Sequence, residues 1–190
     1  MQGLINNMLD MARIEDFAKS GVANNVQAEP VNWSKIVQVM CLETETIAFD
    51  KALKFNSEIA EDIYVKATKA ELEQATSTII SNACKHAPAN DEITVTLKTE
   101  RNHATLRVNN KLSLIASEDL PHIFERFYRA NKARERNEEN VSEQSHGLGL
   151  AIAHAAIEKL DGKLSATSNK TDGTTFIAVL PLAKKSELLG

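Results

Sequence analysis

The sequence predicts an α+β domain, a two-layer sandwich in which helices cover a mixed β-sheet. Three observations predict it. Apolar residues recur at helical spacing in several long stretches, and polar and apolar residues alternate in the shorter stretches between them. The two kinds of stretch follow each other in a mixed order, as in α+β domains. At 190 residues, 43% of them hydrophobic, the chain is long enough for one well-buried core.

The main domain is predicted to span residues 29–185. Its second helix begins at Thr68, where Thr68 and Glu71 have the spacing of a capping box, and it ends before Pro88. In chain order, the predicted elements are a helix at 34–51, strands at 54–59 and 63–66, a helix from the capping box to 86, a hairpin of strands at 92–99 and 104–108, a helix at 147–160, and strands at 163–168 and 174–182.

The first 18 residues are predicted to form a separate amphipathic helix, followed by a linker at 19–28; residues 186–190 form a tail. A single amphipathic helix cannot bury its apolar face alone, so this helix needs a partner helix or a second copy of itself. Its apolar positions are Leu4, Ile5, Met8, Leu9, Ala12 and Ile14.

Composition excludes several functional classes. The net charge of −4 argues against nucleic acid as a partner, because surfaces that bind phosphate backbones are basic. Cys41 and Cys84 fall in predicted helices without a CxxC spacing, which favours buried thiols over a disulfide or metal site. The sequence contains neither a signal peptide nor an apolar run long enough to span a membrane.

The segment from Gly147 to Leu150 has the pattern of an anion-binding helix start. Two glycines lie at the mouth of the predicted helix, where backbone N–H groups are unpaired and a phosphate can approach closely. Leu148 and Leu150 are expected to pack beneath while the amides of Gly147 and Gly149 face the anion.

Four motifs in a fixed order resemble those of bacterial sensor histidine kinases. They occupy the places of the N box, the F box, the second glycine box and the final glycine-threonine turn, and the N-terminal helix resembles the end of the dimerisation and phosphotransfer domain. The matching stretches are Asn82-Ala83-Cys84-Lys85-His86-Ala87-Pro88, Leu120-Pro121-His122-Ile123-Phe124-Glu125-Arg126-Phe127-Tyr128-Arg129, Gly147-Leu148-Gly149-Leu150-Ala151-Ile152 and Gly173-Thr174-Thr175-Phe176.

The resemblance implies a Bergerat-type fold that binds ATP and Mg²⁺. Asn82 then supplies a neutral oxygen to the metal, which suits a hard ion that also binds phosphate; by itself it also fits a structural asparagine. Lys85, three residues later, either neutralises phosphate or is a solvated lysine. His86 is a further candidate near the ribose or phosphates, and Thr174 another nucleotide contact.

The F box implies the base of a mobile lid. Phe124 and Phe127 are three residues apart, which on a short helix would bury both on one side. A positive run follows, and one arginine, Arg126 or Arg129, is expected to contact phosphate, although a solvated loop explains these charges equally well.

Departures from the family pattern concentrate in one loop. The family's Asp-x-Gly-x-Gly falls on Asn110, Leu112 and Leu114, and the first asparagine of the N box is Thr78. Asn110 keeps one carbonyl acceptor for the adenine amino group, whereas the two leucines are expected to fill the adenine pocket or to strain the loop. Together these changes predict weakened ATP binding.

Three functions were weighed on these residues. The first is the ATP-binding catalytic domain of a sensor kinase, which transfers the γ-phosphoryl of Mg-ATP to a histidine that this sequence lacks, since none of its five histidines has the phosphoacceptor context. The second is a degenerate kinase domain that acts as an interaction module. The third is another member of the ATPase superfamily. Expected partners are the receptor's own dimerisation domain, in a homodimer, and a response regulator; the expected location is the cytoplasmic portion of a membrane receptor.

Overall fold

The computed structural model describes residues 28–130 and 147–184. Seven strands and three helices follow in the order β1, α1, β2, β3, α2, β4, β5, α3, β6, β7. Their bounds are β1 Glu29–Asn32, α1 Trp33–Asp50, β2 Lys54–Ile59, β3 Tyr64–Ala67, α2 Lys69–His86, β4 Glu92–Glu100, β5 His103–Asn110, α3 Gly149–Lys159, β6 Lys163–Asn169 and β7 Gly173–Pro181.

A five-stranded mixed sheet in the order β2-β4-β5-β7-β6 carries the helices, and this confirms the predicted α+β sandwich. Only β2 and β4 are parallel; the other three pairings are antiparallel. The predicted strand near residue 63 does not join this sheet. It is β3, which pairs antiparallel with β1, a strand that the sequence did not predict.

The core lies between the sheet and the helices. Alternate residues of β4 (Ile93, Val95 and Leu97) are fully buried, which confirms their predicted common face. The indole nitrogen of Trp33 donates a hydrogen bond to Thr76 Oγ1 at 2.9 Å, so α1 and α2 are joined by a satisfied polar contact inside an apolar interface.

The predicted capping box at the start of α2 is wrong in its contacts. Thr68 is the residue before the helix, as expected, but its side chain makes no capping hydrogen bond. Glu71 instead accepts a hydrogen bond from Lys159 Nζ at 2.7 Å. The carboxylate therefore links α2 to the end of α3 instead of turning back on its own helix.

Cys41 and Cys84 are buried free thiols, as the spacing predicted. Burial, with the nearby charges of Glu45 and Cys84, raises the pKa of the Cys41 thiol to about 11. In the part of the chain that the structure describes, no helix is long and apolar enough to cross a membrane.

Candidate functional site

Three structural elements bring the motif residues to one end of the sheet. Asn110 ends β5 and lies in register with Ile93 of β4 and Thr174 of β7. Helix α2, which carries Asn82, packs across β5, and α3 packs against α2. The N box, the glycine-box helix and the end of β5 therefore surround one region of the surface.

Asn110 is buried and held in a defined orientation. Its side chain is 2% exposed, and its amide nitrogen donates a hydrogen bond to the backbone oxygen of Ala83 in α2 at 2.8 Å. No side-chain N or O atom buried within the described residues lacks a hydrogen-bond partner. Since no partner holds Asn110 Oδ1, that oxygen reaches accessible space and is an available acceptor.

The C-terminal half of α2 presents a polar surface. Asn82 is half-buried and makes no hydrogen bond to other described side chains or backbone, whereas Lys85 and His86 are exposed. Desolvation by surrounding protein, with the positive charges of Lys85, Lys51 and Arg129, lowers the pKa of His86. The structure thus gathers Lys85, His86 and Arg129 around one another, together with Lys51, which the sequence did not single out.

The loop after β5 does not close a pocket, and the expectation that its leucines fill the adenine site is wrong. Leu112 is 57% exposed and Leu114 is 54% exposed, so both side chains project outward. Neither has a positive φ, so the expected backbone strain is also absent.

Asp91 holds the same loop from the sheet side. This carboxylate is fully buried, and its Oδ1 accepts hydrogen bonds from the backbone amides of Leu112 at 2.7 Å and Glu92 at 2.8 Å. Its Oδ2 lies 3.2 Å from Ser113 Oγ, which is also 3.3 Å from the backbone oxygen of His86. The loop is therefore bonded both to the start of β4 and to the end of α2.

Thr174 holds the loop from the other side. Its hydroxyl donates to the backbone oxygen of Ser113 at 2.9 Å. Because that uses its only hydrogen, the 2.9 Å contact with Ser168 Oγ is donated by the serine, which itself accepts from the Ile115 amide at 2.9 Å. Thr174 lies in the predicted region, but its described contacts are to the loop.

Phe127 and Gly147 are joined where the lid segment leaves and re-enters the domain. The amide of Phe127 donates to the carbonyl of Gly147 at 3.0 Å, and both residues have left-handed φ values of 65° and 68°. A Cβ on Gly147 would lie 2.6 Å from the backbone oxygen of Tyr128. Glycine is thus required by both the turn and the close approach.

The predicted burial of both F-box phenylalanines on a short helix is wrong. Residues 117–127 form turns, and Phe127 is 57% exposed, while Phe124 is partly buried against the core. Arg126 is exposed and Arg129 half-buried. Only Arg129 is brought towards His86; the rest of the positive run lies outside the described residues.

Helix α3 begins with open backbone amides. It has no side-chain cap and no acidic residue in its first turn. Leu148 is buried and Leu150 is partly buried against the core, as expected, and Gly149 meets Thr78 of α2. The first N–H groups of this helix are therefore suited to an anion.

A family model decides the identity of this arrangement. The model of the histidine kinase-, DNA gyrase B-, and HSP90-like ATPases matches residues 67–184, which include every site element above. The chain belongs to this family. It is homologous to the ATP-binding catalytic domains of sensor histidine kinases.

Individual relatives agree with the family. The sensor protein DltS of Streptococcus agalactiae is 27% identical over 170 residues, which cover 90% of this chain and 40% of DltS. The mycobacterial sensor histidine kinase MprB has a TM-score of 0.65 at 24% identity, covering 82% of this chain and 97% of that structure. Histidine kinase ThkA in complex with the response regulator TrrA has a TM-score of 0.72 at 20% identity, covering 96% and 49%.

The residues present fit an adenine nucleotide. Asn110 Oδ1 is an acceptor for an amino group, and the α3 amides and nearby cations suit phosphates. Within 28–130 and 147–184, no group of three or more His, Cys, Asp or Glu residues could hold a metal ion. A metal at this site therefore depends on a neutral donor such as Asn82 together with phosphate oxygens.

Sequence reasoning missed Asp91 and Ser168. Both lie outside the family motifs, in a turn and on a strand, and each bonds to a loop residue distant in the chain. The one available signal was the polar loop residue Ser113 between two leucines, which needs partners when its neighbours are held in place.

Proposed function

We propose that this domain binds Mg-ATP and presents its γ-phosphoryl group to a histidine on a dimerisation domain, as the catalytic domain of a two-component sensor kinase. The observation that carries the proposal is the fixed orientation of Asn110. Its amide is committed to Ala83, so its oxygen is left as the acceptor for the adenine 6-amino group. The family match at residues 67–184 supports the same assignment.

The phosphate side of the site is built from α2 and α3. In this proposal Lys85 and His86 lie beside the phosphates, with Arg126 or Arg129 adding positive charge from the base of the lid. The backbone around Gly147, Leu148, Gly149 and Leu150 receives the phosphate oxygens, because the amides that start a helix have no internal partner.

Asn82 is proposed as the metal ligand. It is half-buried on the same half of α2 as Lys85, and no described residue occupies its amide. Bound Mg²⁺ supplies charge neutralisation on the phosphates. The residues of this chain position and orient the nucleotide and stabilise charge, which are the main protein contributions to phosphoryl transfer. We assign no catalytic acid or base to this chain.

Domain organisation and partners complete the proposal. Residues 1–18 form the end of the dimerisation helix, 19–28 a linker, 29–185 the catalytic domain and 186–190 a tail. The receptor is a homodimer, its dimerisation domain receives the phosphoryl group, and a response regulator docks beside it; the ThkA–TrrA complex supports this arrangement. The domain lies on the cytoplasmic side of a membrane receptor, where ATP is present.

The test is calorimetric titration of ATP with and without Mg²⁺ into the purified chain and into Asn82→Ala. We expect saturable, magnesium-dependent binding that Asn82→Ala weakens about tenfold or more. The matched control is Ser81→Ala, since Ser81 is an exposed neighbour whose hydroxyl bonds only its own helix. Absence of binding heat at millimolar nucleotide contradicts the proposal and identifies a degenerate domain that acts only through contacts with other proteins.

A further inference from the structure

We infer that Asp91 is a positioning residue for the nucleotide base, a role that rests on the proposed function. The family pattern gives the loop after β5 two glycines, whereas this chain has Leu112 and Leu114. The loop nonetheless adopts unstrained backbone and turns both leucines outward. A specific anchor must select that conformation over ones that place leucine in the site.

The Asp91 carboxylate is that anchor. It is fully buried, yet all its described partners are donors from the surrounding backbone and Ser113, and two of these belong to the loop. A buried carboxylate persists only when donors satisfy it, and a charged acceptor makes the stronger kind of hydrogen bond. The bond to the Leu112 amide, at 2.7 Å, is the shortest of the three.

Asp91 also connects the two sides of the base site. Its own backbone is fixed by the Pro88 carbonyl at 3.2 Å and by the Lys54 amide at 2.9 Å, so it is part of the sheet edge. Ser113 extends the connection to the His86 carbonyl at the end of α2. The loop that follows Asn110 is thereby held at a fixed distance from the helix that Asn110 contacts.

This role makes a prediction that general stabilisation does not. Asp91 bonds to the loop beside Asn110, whereas the phosphate groups rest on α2 side chains and on the first turn of α3. Loss of its carboxylate therefore weakens binding that depends on the base and spares binding that depends only on phosphates. The probes that separate the two are ATP and inorganic tripolyphosphate.

The experiment measures both affinities for wild type, Asp91→Ala and Asp91→Asn, with circular dichroism to establish folding. We expect Asp91→Ala to raise the Kd for ATP about tenfold and to leave the Kd for tripolyphosphate within about twofold. Amide exchange at Leu112 should accelerate in the free protein. Asp91→Asn keeps one acceptor oxygen and should be intermediate; it decides the question if the alanine variant does not fold.

Asn90→Gly is the matched control. Asn90 precedes Asp91, is exposed and has a φ of 62°, which suits glycine, so its replacement should change neither affinity. The inference is overturned if a folded Asp91 variant binds ATP like wild type, or if both affinities fall equally. If wild type itself does not bind ATP, the proposed function fails and this role fails with it. Normal wild-type binding with unaffected variants overturns the role of Asp91 alone.

Discussion

The side-chain amide of Asn110 donates a hydrogen bond to the carbonyl of Ala83, at 2.8 Å. An aspartate, which most of the family is expected to have here, has no hydrogen to donate. The substitution therefore exchanges a charged acceptor for a neutral one and adds a bond between β5 and α2. The same change that weakens contact with adenine strengthens the contact between the elements that frame it.

Asn110→Asp separates these two effects. We expect it to lower the free energy of unfolding by about 1–3 kcal/mol, because a carboxylate replaces the donor beside a buried carbonyl. We also expect ATP to bind about tenfold more tightly, since the 6-amino group meets a charged acceptor. Chemical denaturation and calorimetric titration measure the two quantities. Asn110→Leu removes both contacts and is the control; equal losses of ATP affinity in the two variants would contradict this account.

Gly147→Ala tests the junction at the base of the lid. We expect it to destabilise the domain by about 2 kcal/mol, because alanine is strained at a φ of 68° and its Cβ collides with backbone. Thermal unfolding should shift down by about 4–8 °C. Gly149→Ala is the comparison, since Gly149 has no positive φ and meets only a flexible Thr78 methyl group at 3.3 Å. A shift as large for Gly149→Ala would show that the φ of Gly147 is not the cause.

Thr174→Val tests the hydroxyl chain that holds the loop after β5. Valine keeps the shape but leaves the Ser113 carbonyl without its donor and Ser168 without its acceptor. We expect a loss of about 1–3 kcal/mol in the free energy of unfolding, measured in urea. Thr167→Val, on the exposed side of β6, should change stability by about 0.5 kcal/mol or less. Equal effects of the two substitutions would remove the hydroxyl chain as an explanation.

His86 predicts a pH dependence of stability. Its folded pKa lies below the ordinary 6.5, through desolvation and then the charges of Lys85, Lys51 and Arg129. Between the two pKa values the unfolded chain binds more protons than the folded one, so this contribution is full above pH 6.5 and is lost as pH falls through the folded pKa. His86→Gln should therefore lose less stability than wild type on acidification. Urea unfolding between pH 5 and 8 measures this, with His103→Gln as the imidazole control; parallel pH profiles for wild type and His86→Gln would contradict the prediction.

Most of the fold was predictable because its signals are local. The periodicity of β4 and the break at Ala87-Pro88 depend on neighbouring residues, and both appear where predicted. The strand Glu29–Asn32 was missed because it has four residues, includes a proline and becomes a strand only by pairing with β3, more than thirty residues away. The capping box failed because Lys159, from another helix, competes for Glu71.

The candidate site was predictable in its location and less so in its contacts. The order of the motifs identifies the three elements that meet near Asn110. No local pattern, however, indicates that the amide of Leu112 is bonded to Asp91, 21 residues earlier, and so that the leucines turn outward. Phe127 differed for the same reason, because its left-handed backbone accompanies a bond to Gly147.

The bond between Phe127 and Gly147 also has an evolutionary consequence. The chain leaves the domain and returns to it at a single backbone hydrogen bond, so the intervening residues need not contribute to the sheet or the core. Changing the length of a segment whose ends are already joined costs little, about 0.6 kcal/mol for each doubling. Insertions, deletions and exchanges between relatives are therefore tolerated there, and the segment can diversify while the rest of the domain is inherited unchanged.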